Sequence, residues 1–148
     1  MKRAIMSAVF VISFLSLLVL GLVSRVQAGE SRGCSNARIK GSYAISCEGT
    51  FVGVGPLAVL GVFIADGKGN ASEVETISLN GGIHQGETFT VKYTVNADCT
   101  GTHTATGTGS FFSGDLFHGD IVIDDNKEEI GYISTDTGLA VLCNFRKQ

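Results

Sequence analysis

One histidine stands out among the groups that could do chemistry. His103 lies in D-C-T-G-T-H-T-A-T-G-T-G-S (residues 98–110), where threonine occupies every second position from Thr100 to Thr108. Between the threonines stand Cys99, Gly101, His103, Ala105 and Gly107, all small except the histidine. On a strand this alternation puts the two sets on opposite faces. With the threonines toward solvent and the small face toward a core, His103 borders open space, where an imidazole can hydrogen-bond a ligand or act as acid or base. The competing reading is a core histidine satisfied by a neighbouring carbonyl or tyrosine hydroxyl.

The other polar groups carry weaker signals. His84 sits beside a glycine-rich turn and His118 in a later strand, and no H-x-H or H-x-x-x-H spacing occurs, so no metal site is expected. Asp66 and Asn70, and the group Asp124, Asp125, Glu128 and Glu129, could offer oxygens to calcium. The Asp66–Asn70 segment lacks the EF-hand order, however, and Lys68 opposes a cation, so both read as hairpin turns. Asp115 and Asp120 could pair for acid–base work, but no nucleophile or base converges on them and they read as rim groups. There is no G-x-S-x-G elbow, and no phosphate or dinucleotide loop in a strand–helix context. No catalytic residue and no cofactor are expected.

The chain ends and the composition bound the setting. Lys2 and Arg3 precede an apolar run from Ala4 to Val23, and Val26-Gln27-Ala28 places small residues at −3 and −1 of a cleavage site. Residues 1–28 therefore read as a signal peptide, in preference to a membrane anchor that stays in place. Residues 29–148 then carry eight basic against fourteen acidic side chains, a net charge of −6. That balance, without a basic cluster, argues against nucleic acid as a partner. Export to the periplasm or the extracellular space follows. Nothing in the sequence fixes the oligomeric state.

The elements that would position His103 are strands. No stretch has convincing helical periodicity, and short β-rich runs are separated by turn signals about every ten residues. After a lead-in (residues 29–40), Gly41–Phe51 alternates with Tyr43, Ile45, Cys47 and Phe51 on one face. Leu57–Ala65 is apolar on both faces, and a strand lies near Ser72–Leu79. Glu87–Val95 turns Phe89, Val91, Tyr93 and Val95 inward. The threonine stretch is the fifth strand, Phe111–Ile123 the sixth and Glu129–Thr135 the seventh. The last turns Leu139, Val141, Cys143 and Phe145 to one face. Eight antiparallel strands with short connections suit a single all-β, up-and-down barrel over residues 41–148, with a two-sheet sandwich as the alternative.

Four cysteines in an exported chain read as two disulfides. Cys47 faces inward on the first strand and Cys143 on the last. Those strands are neighbours in a closed barrel, so a Cys47–Cys143 bond would lock the closure. Cys34 would then pair with Cys99 and tie the lead-in across one end.

The segments G-S-Y-A-I-S-C-E-G (41–49), G-V-F-I-A-D-G-K-G-N (61–70), V-K-Y-T-V-N-A-D-C-T-G-T (91–102) and Y-I-S-T-D-T-G (132–138) resemble a family of uncharacterised, exported, glycine-rich bacterial proteins. The resemblance spans most of Gly33–Phe145, and D-C-T-G-T is its most specific part. It implies export and a barrel like those of calycins or allene oxide cyclase, and it brings no substrate or catalytic residue.

An eight-stranded barrel has an interior that side chains just fill, or that holds one small ligand. Phe89, Tyr93, Phe111 or Phe117 could fill the space beside the small face of the fifth strand. Otherwise a small apolar or amphipathic ligand occupies it, lined by His103, Tyr43, Tyr93, Phe89 and Phe117. The leading expectation is a secreted, non-enzymatic ligand-binding barrel. The alternatives are a packed barrel working through its outer surface, and a barrel enzyme of cyclase or isomerase type.

Overall fold

A computed structural model describes residues 33–124 and 129–148. The expected signal peptide lies outside the described residues, as do Asp125 and Glu128. Eight strands follow one another: β1 (Gly41–Phe51), β2 (Gly55–Ala65), β3 (Asn70–Leu79), β4 (Gly82–Val95), β5 (Thr100–Gly107), β6 (Leu116–Asp124), β7 (Glu129–Ser134) and β8 (Leu139–Lys147). Each pairs antiparallel with the next, and β8 pairs with β1, so the sheet is a closed up-and-down barrel and not a sandwich. Closure leaves no free sheet edge.

The alternation in the sequence sets the faces. On β1, β4 and β8 the expected residues point inward, and Tyr43, Ile45, Cys47, Phe89, Val91, Tyr93, Val141, Cys143 and Phe145 are buried in one continuous core. On β5, Gly101, His103, Ala105 and Gly107 are buried and the threonines point outward. There, threonines of neighbouring strands meet: the hydroxyls of Thr94 and Thr102 are 2.8 Å apart, those of Thr88 and Thr108 3.0 Å. Such cross-strand pairs are the unit of sheet stabilisation. β2 is apolar outside as well, with Leu60 and Ile64 exposed.

Cys47 stands directly opposite Cys143 in the β1–β8 register, and the two form a disulfide across the closing seam. Cys34 bonds Cys99. Two disulfides are the bonds of an oxidising, non-cytoplasmic environment. The second ties the lead-in over one barrel end, where Asn36–Ile39 forms a 3₁₀ turn. There Asn36 Oδ1 accepts a hydrogen bond from the Val95 amide, and Ile39 is buried in the core. This end, with the 66–69 and 96–99 turns, is closed by protein.

Two boundaries differ from the sequence pattern by five residues. β4 begins at Gly82, five residues early, because a bulge at the Glu75/Thr76 step absorbs Gly86, whose φ of +70° suits glycine. β6 begins at Leu116 and not at Phe111. The chain from Phe111 to Asp115 loops out because the Glu87 carboxylate takes the backbone amides of Phe111 and Phe112, at 3.0 and 3.4 Å. Those amides are thereby lost to the ladder.

Candidate functional site

The interior has a cavity of about 90 Å³ toward the end opposite the lead-in. Its walls are mostly apolar: Val59 and Ile77 on β2 and β3, Phe89 on β4, Ala105 on β5, Val141 and Phe145 on β8. Phe112 from the loop and Phe117 on β6 stand at one side. Part-exposed Phe51, Leu57 and Leu139 form the mouth. The Cys47–Cys143 disulfide is part of the wall.

Small residues make this space. Ala105 is buried on the inward face of β5. At Gly61 an added Cβ would come within 2.8 Å of Glu75 Cγ, and at Gly119 within 2.1 Å of the Tyr132 ring. Glycine at these two positions lets Glu75 and Tyr132 lie flat inside the barrel. Phe117 meets both Phe89 and Phe112 edge-on, with Phe112–Phe117 ring centroids 5.4 Å apart.

Four ionisable side chains reach the cavity: Glu73 and Glu75 from β3, His103 from β5 and Tyr132 from β7. Glu73 Oε1 lies 3.1 Å from His103 Nε2, with both side chains nearly fully buried. The His103 ring is further enclosed by Phe63, Tyr132 and Phe145. Its Nδ1 is buried and has no hydrogen-bond partner among the described residues. Native interiors leave few polar atoms in that state. Burial, and secondly the Glu73 carboxylate, push the Glu75 carboxyl up to about 8, so it is largely protonated at neutral pH. Burial pushes the Tyr132 phenol up to about 12. Tyr132 donates its hydroxyl proton to the His118 carbonyl, at 3.1 Å.

Of the side chains expected to line a ligand site, His103, Phe89 and Phe117 surround this cavity. Tyr43 and Tyr93 are buried nearer the closed end. Tyr93 Oη accepts the Gly67 amide at 2.9 Å, and Tyr43 borders a second small cavity with Arg38, Ile39 and Lys147. Phe111 does not fill the interior. It is exposed and stacks on the His84 ring at 3.6 Å, and its neighbour Phe112 turns inward. Glu73 and Glu75 carry no separate signal in the sequence. In S-E-V-E-T-I-S-L the glutamates share their phase with Ile77 and Leu79, which marks the inward face, while Val74 is exposed.

The remaining polar groups are locally satisfied. Asp66 accepts the amides of Lys68 and Asn70 and the Asn70 side chain, which lower its carboxyl to about 2 and make this segment a self-contained turn. Glu87, besides the two loop amides, accepts from Ser110 at 3.0 Å. Burial opposes ionisation there, but those hydrogen bonds outweigh it and hold the carboxyl below its ordinary value. His118 Nδ1 lies 2.8 Å from Asp136 on the outside. Asp115 and Asp120 are exposed. Among the described residues no cluster of three or more metal-ligating side chains forms.

No protein-family profile matches the sequence. No curated protein is similar to it at a significant level. Among solved structures, the chain is similar to the redesigned β-barrel mFAP1 bound to DFHBI, with a TM-score of 0.54 and 14% identity over 76% of this chain and 97% of that one. At that identity the likeness is one of fold.

Proposed function

We propose that this protein is an exported, non-enzymatic β-barrel that holds a small apolar or amphipathic molecule in its interior. The observation that carries the reading is the cavity itself. Its walls are mostly apolar, it opens at one end, and its polar groups include a buried His103 Nδ1 that no group among the described residues satisfies. A protein that needed only a stable barrel would fill this space, because interiors are normally close-packed. The redesigned barrel of the same fold, bound to DFHBI, is in keeping with small-molecule binding by this architecture.

Export rests on the basic start at Lys2 and Arg3, the apolar run and Val26-Gln27-Ala28, together with the two disulfides. The resemblance to exported glycine-rich bacterial barrels agrees with it. Periplasm and extracellular space are both open to such a chain.

A second reading, a barrel enzyme of isomerase or cyclase type, is favoured by one observation. The protonated Glu75 carboxyl and the Glu73–His103 pair place an acid and a base around one apolar chamber.

Native mass spectrometry of the protein, purified without detergent from its host's exported fraction, tests the reading. A reproducible added mass that leaves on denaturation supports interior binding. A bare chain with both disulfides formed overturns it in favour of a barrel that works through its outer surface. Chemical change of the recovered molecule on incubation with fresh protein would move the assignment to the enzyme.

A further inference from the structure

We infer that the interior site takes a small amphipathic molecule carrying one protonated amine, with the ammonium group against Glu75 and the apolar body between Phe89, Phe117 and Val141. The inference rests on the reading of the interior as a binding site and names the chemistry that site selects.

The charge pattern of the lining points this way. Its ionisable groups are Glu73 and Glu75 on β3, His103 on β5 and Tyr132 on β7. β1 and β8 contribute their disulfide and apolar groups, while β2, β4 and β6 contribute apolar groups alone. No lysine or arginine is among the lining residues. Two carboxyls therefore face one imidazole, and that imidazole is held by Glu73 at 3.1 Å. Glu75 lines the cavity and makes no hydrogen bond or ion pair among the described residues. The interior is one cation short.

A half-buried acid without a cation favours its protonated form, in agreement with the raised Glu75 carboxyl. A ligand that brings its own cation reverses this, and Glu75 ionises as the ammonium arrives. An anion would meet two carboxyls and no base free to receive it. A bare divalent ion would exchange its water shell for walls that are almost wholly apolar. A neutral alcohol would gain one hydrogen bond at most.

Size narrows the class further. A cavity of about 90 Å³ is smaller than the roughly 150 Å³ cavity that takes up benzene. The enclosed part of the ligand is therefore smaller than benzene, an aliphatic head of about four non-hydrogen atoms, and any longer chain leaves through the mouth at Phe51, Leu57 and Leu139. His103 Nδ1, buried at the same cavity, is a second polar atom that the described residues leave unsatisfied.

Propylamine and propan-1-ol, matched in shape and differing in charge, test the inference on the disulfide-bonded protein. Calorimetry at pH 7 should give an amine affinity at least about tenfold above that of the alcohol. Repeated in buffers of different ionisation enthalpy, it should show close to one proton released per amine bound and none for the alcohol. Glu75→Gln, which mimics the protonated side chain and so keeps the fold, should abolish the preference while alcohol binding stays as it was. Equal affinities, or a preference that survives Glu75→Gln through the acidic outer surface, would overturn the amine assignment and leave interior binding standing. The proton count needs no variant and decides the matter even where Glu75→Gln fails to fold. Binding of neither probe, judged by unmoved His103 and Ala105 resonances, would remove the interior-binding reading as well.

Discussion

Glu73 and His103, thirty positions apart on β3 and β5, meet at 3.1 Å inside the barrel, across β4. β3 and β5 are both neighbours of β4 and not of each other, so the pair bridges strands that share no backbone hydrogen bond. It is buried, and among the described residues each side chain is the other's only hydrogen-bond partner. Breaking such a pair costs more than its formation contributes, because the surviving group stays buried and unpaired. Glu73→Ala should therefore destabilise the protein by about 3 kcal/mol. Glu73→Gln, which keeps an acceptor for the imidazole, should cost clearly less. Urea unfolding of the two variants beside the parent measures both. A Glu73→Ala loss below about 1 kcal/mol would mean that cavity water already solvates the pair.

The barrel was legible from alternation, and the polar interior was not, for a physical reason. Tyr43 to Phe51, Phe89 to Val95 and Leu139 to Phe145 follow the apolar-in rule, and their faces could be assigned from residue type alone. β3 breaks the rule, with Glu73 and Glu75 inward and Val74 exposed. Residue type misleads there, and only the phase shared with Ile77 carries the correct orientation. The two disulfides were legible because closure makes the first and last strands neighbours, which the Cys47↔Cys143 register realises. The loop after Phe111 was hidden because its cause, Glu87, is 24 residues away in sequence. The ends of Tyr43 and Tyr93 were likewise hidden. Alternation gives the face of a residue but not its height along the barrel axis.

Glu75 makes stability depend on pH in a direction opposite to most carboxylates. Its carboxyl titrates near 4.5 when unfolded and near 8 when folded. The folded state then holds the extra proton, and stability is fully present below about 4.5 and is lost as pH rises to about 8. The loss is on the order of a few kcal/mol. Asp66, Asp98, Glu87 and Asp136 are lowered on folding and act in the other sense, losing their contribution as pH falls. Glu75→Gln isolates the first effect. Between pH 5 and 8 the unfolding free energy of the parent should fall relative to that of Glu75→Gln, and the two curves should run parallel above pH 9. Parallel curves across the whole range would mean that Glu75 is solvated.

The two disulfides close loops of 96 and 65 residues, so chain entropy gives them nearly equal weight, about 3 kcal/mol each. They differ in what they hold in place. Replacing Cys47 and Cys143 by alanine should release the β1–β8 seam, with faster amide exchange at Ile45 and Phe145. Replacing Cys34 and Cys99 should instead free the lead-in and speed exchange at Val95 and Gly67, whose amides are bonded to Asn36 and Tyr93. Hydrogen-exchange mass spectrometry resolves the two footprints. A uniform increase in both variants would show that the barrel opens as one unit.

The cavity sets stability against function, and Ala105 is where the two can be separated. Its buried methyl group borders the space between His103 and the phenylalanine cluster on the inward face of β5. Ala105→Leu adds apolar volume where close-packing is incomplete, without removing a polar contact. Cavity-filling changes of this type commonly raise stability by about 1 kcal/mol. If the space existed only because the packing is imperfect, the variant would be better in every respect. If the space is the binding site, the same leucine stands where the ligand must lie, and affinity should drop by more than about tenfold while the melting temperature rises by a few degrees. The direction of each change matters more than its size. A variant that is destabilised by the leucine would show that neighbouring side chains already claim this volume. A variant that is stabilised and still binds would place the ligand elsewhere on the barrel.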